Sequence, residues 1–178
     1  MNTDSGDYGL APGRSGQPAP HVIHLRGPWE YRPLARTVRL PDGSLRETTE
    51  GLSPPGRLWL LADWGRTLGP DFRGRVLFTR RFGQPTGLAS GDRVDLVLER
   101  VEACGTATLN GTPLAPLLAG QEGTRFDITA RLQRRNELTL VFELPPGAPL
   151  DSDPSRLARE GLPGGLLAEV RLEILSAS

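Results

Sequence analysis

From Arg75 to Phe82 the chain alternates: Val76, Phe78 and Phe82 fall on one side of an extended backbone, and Arg75, Thr79 and Arg81 on the other. A period of two belongs to a strand that is dry on one face and wet on the other, and the pattern recurs. Val94, Leu96 and Leu98 share a side with Asp95 and Glu99 opposite. Leu138, Leu140, Phe142 and Leu144 line up, and Val170, Leu172 and Ile174 oppose Glu169, Arg171 and Glu173. Shorter runs at 22–26, 29–32, 37–40, 45–49 and 105–109 extend the series. Asn110-Gly111 predicts a tight hairpin over 105–115, because both residues tolerate the positive φ of a type I′ turn. Glycine (22) and proline (17) fill more than a fifth of the 178 residues, which rules out long helices and supplies the turns. The one helix predicted is a short loop helix over 153–161, with Asp153 as cap, Pro154 at the first position and Gly161 as stop. Many short strands without interleaved helices predict an all-β fold, two antiparallel sheets packed as a sandwich.

Residues 1–20 carry too few apolar groups to offset the entropy of ordering them and are read as a flexible arm, leaving 21–178 as a single sandwich domain. No basic start followed by an apolar run occurs there, and no segment reaches transmembrane length, so the expectation is a cytoplasmic protein with no membrane contact. The cations are 21 arginines with no lysine, balanced by 21 acidic residues; zero net charge gives no global field to draw in nucleic acid, and none is expected as a partner. A single cysteine, Cys104, excludes an internal disulfide and a thiolate zinc site. Only two histidines, His21 and His24, are available for imidazole chemistry, and both flank a strand near the arm. The arginine doublets Arg80-Arg81 and Arg134-Arg135 each split across the two faces of a strand, so neither forms a basic patch by itself.

In order along the chain, Leu25-Arg26-Gly27-Pro28-Trp29, Ala62-Asp63-Trp64, Phe72–Phe82, Leu96–Val101 with Ala107-Thr108-Leu109-Asn110-Gly111, Phe126-Asp127-Ile128-Thr129 with Leu132 and Asn136-Glu137-Leu138, and Gly164–Leu172 form a series. This series resembles the N-terminal sugar-binding domain of family-two glycoside hydrolases, the β-galactosidase and β-glucuronidase group. The resemblance implies a galactose-binding-domain-like jelly roll without the catalytic barrel and its two glutamates, and hence a non-catalytic module that recognises carbohydrate. Loops that in some members reach the catalytic site correspond here to 119–125, without an aromatic, and to 151–156, with carboxylates but no tryptophan.

A sugar site needs a flat aromatic face and planar polar side chains for the hydroxyls. Trp64, in a loop rich in Gly, Asp and Arg, is the candidate platform; Asp71, Arg80, Asp151 and Asp153 complete the candidate ligand-binding set. Trp29 is expected in the core, and Trp59, flanked by Leu58, Leu60 and Leu61, is expected to be buried as well. Asp127 is expected to cap the turn at 129–133, and Asn110 to serve the hairpin. No cofactor is required, although Asp151 and Asp153 are the residues that would join a structural Ca²⁺. Two other readings stand beside the carbohydrate module: a scaffold domain docking a protein partner or a second copy of itself, and a glycosidase using loop carboxylates.

Overall fold

The computed structural model describes residues 19–59, 67–69, 72–101, 103–118, 121–144 and 169–177, with only the backbone at Glu122 and Leu144. Among these residues eleven strands form two antiparallel sheets: β1 (His21–His24), β2 (Trp29–Arg39), β3 (Leu45–Thr48), β4 (Gly56–Leu58), β5 (Gly74–Gly83), β6 (Arg93–Val101), β7 (Cys104–Leu109), β8 (Thr112–Leu117), β9 (Gln121–Asp127), β10 (Arg135–Leu144) and β11 (Val170–Leu175). One sheet runs β1-β11-β6-β9; the other runs β3-β2-β5-β10-β7-β8, with β4 continuing the edge that β3 occupies on β2. The predicted all-β sandwich is therefore the observed one. The loop helix expected over 153–161 lies outside the described residues, as does all of the arm read over 1–20 except residues 19 and 20.

The alternation read from the sequence places the core. Trp29, Val76, Leu96, Leu98, Leu109, Leu138, Leu140, Phe142 and Leu172 are all buried between the sheets. Phe78 meets Phe142 edge to face, with ring centroids 5.9 Å apart. Trp29 enters the core with its one polar atom satisfied, the indole Nε1 donating to the Leu25 carbonyl at 2.7 Å. The β7–β8 hairpin turns through Asn110 (φ 53°) and Gly111 (φ 78°), both in the left-handed region that the type I′ turn needs. Asn110 serves that hairpin as expected, its Nδ2 donating to the Arg131 carbonyl and its Oδ1 accepting from the Glu137 amide. Asp127 takes the structural role expected of it, accepting from the Thr129 amide at 3.0 Å and hydroxyl at 2.6 Å at the start of a short 3₁₀ turn, Thr129–Arg131.

Two elements depart from the sequence reading. Residues 29–32 and 37–40 were expected as separate strands, yet β2 is continuous, because a bulge between Pro33 and Ala35 absorbs the residue that cannot donate to the ladder. Gly74 faces this bulge at φ 141°, and a Cβ there would collide with the Ala35 carbonyl oxygen. The segment beginning at 121, read as part of a loop, is strand β9, paired to β6. On β8, Pro113 and Pro116 fall at the edge of the larger sheet.

A correction concerns the outer face of the smaller sheet, expected to be wet at Asp95 and Glu173. Both are buried, at 3% and 5% exposure. They are direct neighbours across β6 and β11, a pairing of like charges that arginines neutralise. Asp95 accepts from Arg93 Nε at 2.7 Å and lies 3.5 Å from Arg125 Nη1. Glu173 lies 2.6 Å from the same Arg125 nitrogen and 2.7 Å from Arg171 Nε. Arg171 continues to Glu99 at 2.9 Å, while Glu169 gathers His24 Nδ1 at 2.7 Å and Arg26 Nε at 3.3 Å. Burial alone would raise the Glu173 carboxyl, but hydrogen bonds from Arg125 and Arg171 and their charges outweigh it and hold it below the usual carboxylate range. Hydrogen bonds from Thr129, side chain before backbone, lower Asp127 in the same way.

These features fix two expectations. Gly74→Ala destabilises the fold by at least about 2 kcal/mol, because the backbone opposite has no room to move, whereas Gly83→Ala, with open space around its Cβ, changes stability by less than about 0.5 kcal/mol; urea denaturation of the two variants checks this. Because the Glu173 and Asp127 carboxyls are depressed in the folded state, their stabilisation is full above the ordinary value of about 4 and disappears as pH falls through the lower folded one. Denaturation midpoints should drop steeply below about pH 4, and Glu173→Gln should flatten that drop while lowering stability at neutral pH.

Candidate functional site

The larger sheet turns its other face outward. Glu30 lies opposite Arg57 and Thr79, Thr139 continues the row on β10, and Thr108 extends it on β7. Beside this row run Arg32, Leu77, Val141 and Thr106. Short, half-buried side chains in the middle leave the taller arginines to stand along the β4 side and at the end where β5 finishes and β10 begins.

Two depressions mark this surface, and a third opens at its end, where β5 finishes and β10 begins. The first, about 390 Å³, is lined by Glu30, Tyr31, Arg32, Pro55, Gly56, Arg57, Leu77 and Thr79. The second, about 200 Å³, lies between Pro28, Glu30, Arg57, Thr79, Arg80 and Arg81. The third is broader, about 630 Å³, with Arg81, Arg134, Arg135 and Glu137 around Asn110, Asn136, Phe82 and Gly83. Arg81 belongs to both of the latter two and joins them. Its Nε donates to Glu137 at 2.9 Å and its Nη1 lies 3.6 Å from Glu30, whose other oxygen is 3.5 Å from Arg57.

Neither arginine doublet forms a patch by itself, as expected, but antiparallel pairing brings the two together. Arg135 pairs with Gly83 and Glu137 with Arg81, so the chain arriving at β10 delivers Arg134 and Arg135 beside Arg81. Alternation does split Arg80 from Arg81 as expected, but adjacent strands restore what one strand divides.

Of the candidate set read from sequence, only Arg80 is among the described residues; Trp64, Asp71, Asp151 and Asp153 lie outside them. Arg80 shares the inward side of β5 with Val76 and Phe78. Its Nη1 donates to the Pro28 carbonyl at 2.8 Å, and its Nε is buried without a hydrogen-bond partner. Burial pushes its guanidinium down from the ordinary arginine value. Arg80 therefore ties β5 to the turn before Trp29 from below, and only its flank reaches the second depression. Among the described residues no group of three His, Cys, Asp or Glu side chains could hold a metal ion, and Cys104 is a free, exposed thiol.

The aromatic face comes from a residue the sequence reading placed in the core. Trp59 is 66% exposed, whereas Trp29 is fully buried as expected. The strand rule contains the reason: in Arg57-Leu58-Trp59 the middle residue faces inward, at 8% exposure, so both neighbours must face out. The leucines around Trp59 pointed the other way, but local hydrophobicity yields to strand phase. The indole lies against the Gly27 backbone, where a Cβ would come within 2.9 Å of Trp59 Cε3. Only glycine lets the ring settle there, and Pro28, the next residue, lines the second depression.

No protein-family model matches the chain, and no curated protein matches it in sequence. Solved structures do. The β-glucuronidase of Bifidobacterium dentium, solved with coumarin-3-O-glucuronide, is similar over 96% of this chain at 21% identity and a TM-score of 0.66. An FMN-binding β-glucuronidase from Faecalibacterium prausnitzii covers 88% at 20% identity and 0.64, and a β-galactosidase from Bacteroides fragilis covers 88% at 19% and 0.63. The fold is that of one domain of family-two glycosidases. The chain spans 32%, 22% and 23% of the length of those three proteins, well under two thirds of each.

If Gly27 seats the indole, Gly27→Val should displace it: tryptophan fluorescence quenching by acrylamide should change for the exposed Trp59 while the buried Trp29 stays shielded.

Proposed function

We propose that this chain is a non-catalytic carbohydrate-binding module of the family-two glycosidase type, its sandwich a galactose-binding-domain-like jelly roll. The observation that carries the reading is Trp59: a large indole, two-thirds exposed, held against Gly27 at the end of β4, one residue beyond Leu58, with Pro28, the residue after Gly27, lining the second depression. An indole offers the flat apolar surface that the C–H face of a pyranose stacks on, and the arginines, threonines and Glu30 offer donors and acceptors to its hydroxyls.

The non-catalytic part rests on the chemistry of the carboxylates on this face. Glycoside hydrolysis asks for one carboxyl kept protonated by apolar surroundings, with a second across the bond. Glu30 and Glu137 instead are both paired to the guanidinium of Arg81 and stand half-exposed, not in apolar surroundings.

A second reading is favoured by the partial coverage, since the similar structures carry this fold as a fraction of a longer chain: the module docks another protein domain. Calorimetry against a panel of mono- and oligosaccharides separates the two. The carbohydrate reading expects millimolar or tighter binding, weakened about tenfold by Trp59→Ala with an unchanged melting temperature, and no turnover of chromogenic glycosides. No binding by any sugar leaves the docking reading, which sedimentation of the chain with neighbouring glycosidase domains then tests.

A further inference from the structure

We propose that the saccharide taken by this face is an acidic oligosaccharide, bearing carboxylate or sulfate groups, laid across the strands from Trp59 to the arginine cluster of β5 and β10. The inference rests on the carbohydrate reading above and adds to it a ligand class, a direction and a length.

The direction follows from strand order. Trp59 directly follows β4, and β4, β2, β5 and β10 are successive neighbours. Three strand spacings of about 4.8 Å separate Arg135 from Trp59 by about 14 Å across the strands, the reach of an oligosaccharide rather than a single ring. Arg57, Pro28 and Arg81 lie between them and line one continuous pair of depressions joined at Arg81.

The ligand class follows from charge. The chain as a whole is neutral, with 21 arginines against 21 acidic residues, yet these two depressions are lined by Arg57, Arg80, Arg81, Arg134 and Arg135 against only Glu30 and Glu137. Both glutamates are already engaged by Arg81, and Glu30 by Arg57 as well. Among the described residues, the side chains of Arg134 and Arg135 make no hydrogen bond or ion pair. The opposite face of the sandwich shows what this same chain does with arginines that serve structure: Arg93, Arg125 and Arg171 are each bonded to carboxylates. The floor below Arg134 and Arg135 is fixed, with Asn110 Nδ2 donating to Asn136 Oδ1 at 3.0 Å and Asn136 both accepting from the Gln133 amide and donating to its carbonyl. Two guanidiniums that no described residue pairs, on a fixed floor and next to a third, form a receptor for planar or tetrahedral oxyanions, which they can grip in bidentate fashion.

The test uses dextran oligosaccharides, dextran sulfate oligosaccharides of the same length, and oligogalacturonate, titrated into the full chain at low and physiological salt. Acidic oligomers should bind at least about tenfold more tightly than dextran at low salt, with the advantage shrinking as salt rises. The double variant Arg134→Gln/Arg135→Gln should lose most of that advantage while keeping the weak binding of dextran, and Trp59→Ala should weaken both. Whether sulfate or carboxylate oligomers bind better tells which oxyanion the cluster takes, and either supports the proposal. Equal binding of neutral and acidic oligomers, unmoved by the double variant, overturns it and leaves the carbohydrate reading standing. Competition by inorganic sulfate at the same anion concentration, or acidic binding indifferent to Trp59→Ala, means an adventitious ion only and also overturns it. Absence of binding by every oligomer removes the carbohydrate reading itself.

Discussion

Everything in this molecule depends on apolar contact between two sheets that have no covalent or metal tie among the described residues. Trp29, Phe142 and the leucines of β6, β7, β10 and β11 fill the space between them. Burial of side chains this size is worth roughly 1.5–3 kcal/mol each, against a net stability of only about 5–15 kcal/mol for a whole domain. The contact also fixes phase: a strand slipped by one residue would exchange its dry and wet sides along its entire length. The position of Trp59, Arg57 and Arg81 on the outside follows from the burial of Leu58 and Phe78 on the inside.

The two outer faces use the same residue type for different ends. On the smaller sheet, guanidiniums bridge carboxylates that pairing forces into adjacency, and Arg125 holds Asp95 and Glu173 at once. That face is electrostatically closed. On the larger sheet, Arg81 ties Glu30 of β2 to Glu137 of β10, and the guanidiniums of Arg134 and Arg135 find no partner among the described residues. Zero net charge thus conceals a segregated surface.

Much of the fold was legible because period-two alternation is a local signal with a direct physical cause. It identified the inward faces of β5, β6, β10 and β11, and the Asn110-Gly111 turn signal identified the β7–β8 hairpin. Where it failed, something non-local decided. Pro33 reads as a break until a neighbouring strand supplies the bulge and Gly74 makes room for it. Strand β9 has the glycine and charge of a loop, and its pairing to β6 makes it a strand. The site was less legible for the same reason. Trp59 was misplaced because its leucine neighbours outweighed its phase, and the two arginine doublets, 54 positions apart in the chain, meet only through the β5–β10 register.

The prolines on β8 bear on how copies of this protein can meet. An edge strand normally exposes a row of amide donors that another strand can extend, but Pro113 and Pro116 have none to offer, and at the far edge the sheet presents only the short strands β3 and β4. Neither border of the larger sheet is a good template for continued pairing. Molecules crowded together are thereby steered away from ribbon-like stacking, and the broad face stays open to whatever it evolved to receive.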